Sequence, residues 1–161
     1  MEQVLKKFYS SFDNLDYNGM ISCYHPEAQF SDPAFGTLNY DDIRLMWQML
    51  CTSQSKENFK VNYYNINCVS NSCSADWKAI YLLSKTSKRV HNSIHSIFVF
   101  KDGLIYRQKD DFNLYHWAKQ ALGLKGVLLG WTPYFQRQLQ ERTISMLSRY
   151  KLKTINTQNA G

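Results

Sequence analysis

Arg89-Val90-His91-Asn92-Ser93-Ile94-His95-Ser96-Ile97-Phe98-Val99-Phe100-Lys101-Asp102-Gly103-Leu104-Ile105-Tyr106-Arg107-Gln108-Lys109-Asp110-Asp111-Phe112 alternates between apolar and polar residues along most of its length. Successive side chains of an extended chain point to opposite faces, so residues 89–100 read as one long strand. Asp102-Gly103 supplies a hairpin turn of the Asp-Gly kind. The chain returns from Leu104 to about Phe112, with Leu104, Tyr106, Gln108 and Asp110 on one side. Upstream, Phe59, Val61 and Tyr63 alternate with polar partners, and Cys73, Ala75, Trp77, Ala79, Tyr81 and Leu83 form a second strand face. Sequential hairpins of this length predict an antiparallel, strongly curved sheet.

Helical spacing frames this meander. Val4, Phe8, Phe12 and Leu15 predict an amphipathic helix over residues 2–15. Asn18 is the expected cap of a short helix through Tyr24. His25-Pro26-Glu27 breaks it, because proline disfavours helical geometry in the residue before it. Ala28, Phe30 and Asp32 then share one face of a short strand, which turns Asp32 toward the interior. Ile43, Met46, Trp47 and Leu50 predict a helix over 41–51. After the meander come a short apolar-striped helix from Leu114 to Leu122 and a helix over 133–150, started by Thr132-Pro133. The expectation is a single α+β domain over residues 1–150, of which 113–150 are a C-terminal helical extension and 151–161 a frayed tail. Its N-terminal helices would pack on the concave face of a cone-shaped antiparallel sheet, whose open end would be a ligand pocket.

Composition excludes several classes. Hydrophobic residues at 44% and charged residues at 20% are globular values, which argues against disorder in the main body. No apolar run approaches the ~20 residues needed to cross a bilayer, and Met1 to Lys7 lacks the basic-then-apolar order of a signal peptide. A cytoplasmic protein with no membrane partner is therefore expected. Cys23, Cys51, Cys68 and Cys73 contain no CxxC pair and read as reduced, mostly buried thiols. His91 and His95 share a strand face, but two histidines alone do not specify a metal site, so neither metal nor cofactor is expected. The net charge is +6, with Arg137, Arg142, Arg149, Lys151 and Lys153 late in the chain. No nucleic-acid motif accompanies that charge, and a nucleic-acid partner is not expected.

Three stretches carry a resemblance to a known family. They are Lys7 to Asp16, Tyr24-His25-Pro26-Glu27-Ala28-Gln29-Phe30-Ser31-Asp32-Pro33-Ala34-Phe35-Gly36, and Lys88 to Phe112. In order and spacing they resemble the nuclear transport factor 2-like superfamily, in its SnoaL-like and ketosteroid isomerase-like branches, over roughly residues 4–122. In ketosteroid isomerases the general base is the aspartate of an Asp-Pro step at this strand end, and Asp32 matches it. The tyrosine of their first helix falls at Phe8, with Tyr9 adjacent, and their second acid falls near Ser96. Without those two donors a dienolate loses most of its electrostatic stabilisation, so steroid isomerisation itself is not expected. SnoaL-like cyclases use a carboxylate on the last strand, and Asp110 lies at the similar place.

The resemblance thus implies a small-molecule pocket with Asp32 and Asp110 as an acid/base pair. Tyr9, Phe12, Trp47, Trp77, Tyr106 and Gln108 would be its walls. The catalytic reading is a cofactor-independent isomerase, cyclase or dehydratase. Its alternative is a non-catalytic ligand-binding or dimerisation module. Asp32 could instead cap the turn before Pro33, and Asp110 could pair with Arg89 or Arg107. A homodimer would form through the outer sheet face bearing His91, His95, Ile97 and Val99.

Overall fold

The computed structural model describes residues 1–83 and 86–158. Helix α1 (Glu2–Asp13) and the short α2 (Tyr17–Ile21) lead into β1 (Tyr24–Asp32), β2 (Gly36–Leu38) and α3 (Tyr40–Thr52). The meander follows as β3 (Lys60–Val69), β4 (Ser72–Leu83), β5 (Lys88–Lys101) and β6 (Leu104–Phe112). Helices α4 (Leu114–Leu122), α5 (Leu124–Leu129) and α6 (Pro133–Gln158) end the chain.

Short polar residues cap α2, α3 and α4. Asp16, not Asn18, caps α2 by accepting from the Gly19 amide. Asn39 accepts from Asp42 at the start of α3, and Asn113 from His116 at the start of α4. Each satisfies an amide that has no partner within its own helix. At the β5–β6 turn Asp102 and Gly103 both take positive φ, 53° and 77°, as a two-residue hairpin of this hand requires.

The six strands form one sheet in the order β2-β1-β6-β5-β4-β3. This corrects the expected architecture. The sheet is open, with β2 and β3 at its two edges, and does not curl into a cone. Nor is it wholly antiparallel, because β1 runs parallel to β6. Hairpin periodicity reports neighbours along the chain, whereas the β1–β6 pairing joins segments separated by four other strands and a helix. Closure would need edge pairing, and β2, only three residues long, offers little edge. Strand β1 also begins earlier than expected and contains Pro26. Its pairing with β6 slips between Tyr24 and Gln29, so the missing proline N–H falls where the ladder is already interrupted.

One face of the sheet carries the core. Val90, Ile94, Ser96, Phe98 and Phe100 of β5 are buried in alternation, while His91, His95 and Ile97 of the same strand are exposed. Helices α1 and α3 contribute Leu5, Phe8, Tyr9, Phe12, Ile43, Met46 and Trp47 to this core. Helix α6 continues as helix eight residues past the expected end at 150, and residues 159–161 lie outside the described residues. It buries Leu147 and Thr143. Two of the four cysteines depart from the expectation of reduced thiols. Cys68 and Cys73 lie opposite each other on β3 and β4 and form a disulfide, whereas Cys23 and Cys51 are free and buried. Among the described residues no helix is long and apolar enough to cross a membrane.

Candidate active site

Asp110 lies on β6, buried at 5% relative exposure. Ser96 faces it in register on β5 and donates to Oδ1 at 2.6 Å. Gln108, two residues along the same strand face, donates to the same oxygen at 2.9 Å. Each donor is itself held. Trp77 Nε1 donates to Ser96 Oγ at 2.8 Å, Tyr24 donates to Gln108 Oε1, and Trp47 Nε1 donates to the Tyr24 hydroxyl at 3.1 Å. A buried chain of hydrogen bonds therefore runs Trp47–Tyr24–Gln108–Asp110–Ser96–Trp77, with every donor aimed toward the carboxylate.

That chain satisfies Oδ1 only. Among the described residues nothing donates to Oδ2, and no cation pairs with Asp110. Neither Arg89 nor Arg107 takes up the alternative salt bridge. Burial pushes the Asp110 carboxyl up to about 7, against the lowering pull of Ser96 and Gln108 and with help from the charge on Asp32.

Asp32 ends β1 on the same face as Ala28 and Phe30 and is half-buried. Its Oδ1 accepts from the amides of Ala34, at 2.9 Å, and Phe35. The turn role expected of this side chain is thus filled. Burial outweighs the two amide bonds and lifts this carboxyl to about 6. The turn is clamped from outside by α6, where Thr143 donates to the Ala34 carbonyl at 2.7 Å and Gln140 to that of Pro33 at 3.2 Å. Tyr81 of β4 lies within electrostatic reach of Asp32. Its hydroxyl accepts from Trp117 Nε1 at 2.8 Å, and burial, then the Asp32 charge, pushes it up to about 12.

Tyr9, from α1, is fully buried, and among the described residues its hydroxyl makes no hydrogen bond of ordinary geometry, though the Ser96 hydroxyl lies near enough to oppose the rise in its pKa. It is near enough to Asp110 to feel its charge, and burial raises its pKa strongly. Buried polar atoms without a partner are rare, so this hydroxyl marks a place where the protein's own polar accounting is incomplete.

Tyr9, Trp47, Trp77, Gln108 and Asp110 thus meet in one interior network, and Asp32 approaches it electrostatically. Phe12 packs one layer away, against Trp47 and Phe59 at ring separations of 5.0 and 5.1 Å, and serves the core. Tyr106 does not join the site. Pairing between β5 and β6 shifts between Val99 and Phe100, leaving Tyr106 as an extra residue on β6. Such a bulge rotates its side chain off the expected face, and the ring lies edge-on to His25 and beneath Lys101. Three members were not singled out from sequence as site residues. Ser96 and Tyr81 interrupt otherwise apolar strand faces, which was a usable signal, but nothing local marked Tyr24.

Rings fill much of the interior between the helices and the sheet, with Phe8 and Tyr9 each within 6.4 Å of Phe98. Two surface clefts lie elsewhere, about 370 Å³ between α3 and α6 and about 340 Å³ beside Gln54 and Ser87. Among the described residues no group of three His, Cys, Asp or Glu side chains is arranged to hold a metal ion.

The family model described as a SnoaL-like domain matches residues 5–108, well over half the chain. This chain belongs to the SnoaL-like family. Its sheet and helices place it in the nuclear transport factor 2-like superfamily. The SnoaL-like match stops two residues before Asp110 and leaves α4 to α6 outside it. Among solved structures, a ketosteroid isomerase-like protein from Catenulispora acidiphila, in complex with trimethylamine, is similar with a TM-score of 0.65 at 14% identity, over 81% of this chain and 97% of that one. TerC co-crystallised with polyporic acid is similar at 0.62 and 15% identity, over 74% and 95%. An LEH-like epoxide hydrolase from M. tuberculosis is similar at 0.61 and 16% identity, over 80% and 89%. At such identities the likeness speaks for the fold alone. No curated protein matches the chain.

Proposed function

We propose that this SnoaL-like chain binds a small apolar or polyketide-like molecule and moves protons on it with Asp32 and Asp110, as a cofactor-independent isomerase, cyclase or dehydratase. The observation that carries the reading is the carboxylate pair. Asp110 is buried and Asp32 half-buried, and among the described residues neither pairs with a cation and each keeps one oxygen without a donor. With one acid near 6 and the other near 7, a proton can reside on Asp110 while Asp32 is ionised at neutral pH. That division suits one group to give a proton and the other to take one. The Tyr9 hydroxyl offers a further donor toward a developing oxyanion. Related folds in complex with trimethylamine and with polyporic acid support an interior that accepts small organic molecules.

A second reading rests on a different observation. The rings around the network pack closely, and neither surface cleft reaches the aspartates. On that reading the network is a structural core of a binding or dimerisation module. The homodimer through His91, His95, Ile97 and Val99 and the cytoplasmic location belong to the proposal in either case.

Carbon-detected NMR titration of the aspartates separates the two. Two carboxyls titrating between about 5.5 and 7.5, with Asp32→Asn displacing the Asp110 midpoint downward, support the coupled acid/base pair. Both midpoints near the ordinary ~3.9 for aspartate would remove the catalytic reading.

A further inference from the structure

Helix α5 is packed by the wrong side for a helix in water. A Cβ at Gly126 would lie 1.9 Å from the Ala118 carbonyl oxygen, and one at Gly130 would lie 2.7 Å from the Ala118 Cβ. The two glycines, four residues apart, therefore let α5 rest backbone-first on α4. Leucines that would ordinarily form the contact are left outside. Leu124 is 81% exposed, Leu128 70%, Trp131 70% and Tyr134 60%. Large apolar side chains this exposed project from the surface, and so many together mark an interaction site.

The charge has an equally uneven distribution. Residues 113–161 hold seven basic side chains (Lys119, Lys125, Arg137, Arg142, Arg149, Lys151 and Lys153) against the single acid Glu141. Residues 1–112 hold twelve of each sign, so the C-terminal helices carry the whole net charge of +6. Lys119 lies on α4, against which α5 packs, Lys125 lies within α5, Arg137 follows Tyr134 by three residues on α6, and the Lys88 amine lies beside Gly123.

We infer that the α4–α5–α6 corner docks on an anionic phospholipid surface. Leu124, Leu128 and Trp131 enter the boundary between headgroups and acyl chains, Tyr134 lies at headgroup level, and the flanking lysines and Arg137 meet the phosphates. Aromatic side chains with one polar end favour that depth, and basic flanks add attraction to anionic lipid. A second copy of this chain is the poorer occupant, because it would bring a like-charged helical segment against this one. The absence of a spanning helix, which underlay the expectation of no membrane partner, has no bearing on peripheral docking. The inference also stands apart from the acid/base reading, since it uses none of those residues.

The test is co-sedimentation of the full chain with phosphatidylcholine vesicles, with and without phosphatidylserine. Trp131 is the one exposed tryptophan among the described residues, so a change in emission on binding reports its insertion. Expected are roughly tenfold or tighter binding to the phosphatidylserine vesicles, a blue shift on binding, and weakening by salt. Leu128→Glu and Trp131→Ser should each abolish binding while leaving the circular dichroism spectrum unchanged. Equal binding to both vesicle types, or binding to neither, overturns the inference. So does a wild-type dimer that Leu128→Glu makes monomeric without any vesicle binding, or retention by polyglutamate but not by vesicles.

Discussion

Ser96 and Asp110 face each other in register across β5 and β6, and the serine hydroxyl donates to the carboxylate at 2.6 Å. Ser96 occupies the position where the ketosteroid isomerase resemblance calls for a second acid. A carboxylate lies one strand over, and the serine donates to it. A hydrogen bond to an ionised carboxylate is worth ~1.5–3 kcal/mol. Ser96→Ala should therefore raise the Asp110 midpoint by roughly 1–2 pH units, at 1.36 kcal/mol each. An unchanged midpoint in the carboxyl titration would mean that the hydroxyl does not serve the charged form.

The raised carboxyl of Asp110 sets the direction of a stability change with pH. Its folded value, about 7, exceeds the ordinary aspartate value of 3.8 that stands for the unfolded chain. The folded state therefore binds more protons between those limits, and this group's contribution to stability falls as pH rises through the window. Complete loss corresponds to on the order of 4 kcal/mol, at 1.36 kcal/mol per pH unit. Urea unfolding should show Asp110→Asn losing less stability than the wild type between pH 5 and pH 8. Parallel pH profiles would show that the carboxyl is not buried as described.

Tyr9→Phe removes a buried hydroxyl that makes no hydrogen bond among the described residues. An unsatisfied buried group costs about 1–3 kcal/mol, so the variant should unfold at the same temperature as the wild type or higher. A clear fall in Tm would show that the hydroxyl has a partner. If the hydroxyl contacts ligand, the same variant should bind it more weakly.

Helix α6 is expected to hold Asp32 in place through its turn. Thr143→Val keeps the side-chain shape and deletes the bond to the Ala34 carbonyl. The expected cost is about 1 kcal/mol in thermal unfolding, together with a displaced Asp32 titration. A stability loss with the Asp32 midpoint unmoved would leave α6 a packing role only.

Thiol counting in denaturant checks the cysteine pairing. With Cys68 and Cys73 joined, two reactive thiols are expected, from Cys23 and Cys51. Four would restore the reduced state read from the sequence, which a glutathione-buffered cytoplasm maintains.

Exposed Ile97 in the outer sheet face tests the proposed dimer. Ile97→Lys should shift the mass measured by light scattering from dimer to monomer. A monomeric wild type would dispose of that surface as an interface.

Local pattern carried a large part of this protein. Two-residue alternation marked β4, β5 and β6, helical spacing marked α1 and α3, and both followed from side-chain direction, which each residue sets with its near neighbours. The inward direction of Asp110 could be read in the same way. Tyr106 shows where that method stops, because one extra residue at a bulge reverses the faces before it relative to those after it. The open, mixed sheet shows it again.

Residue order by itself determined the run of helices and strands apart from β2 and α5, the family likeness, and that Asp32 and Asp110 lay on apolar faces. Only tertiary structure decided that β1 would lie parallel to β6, that Ser96 and Gln108 would converge on one carboxylate oxygen, that α6 would clamp the Asp32 turn, and that two glycines would turn the leucines of α5 outward. Local preferences act over a few residues and are written in the chain, whereas pairings across strands and helices depend on which packed arrangement buries the most surface with its polar atoms satisfied.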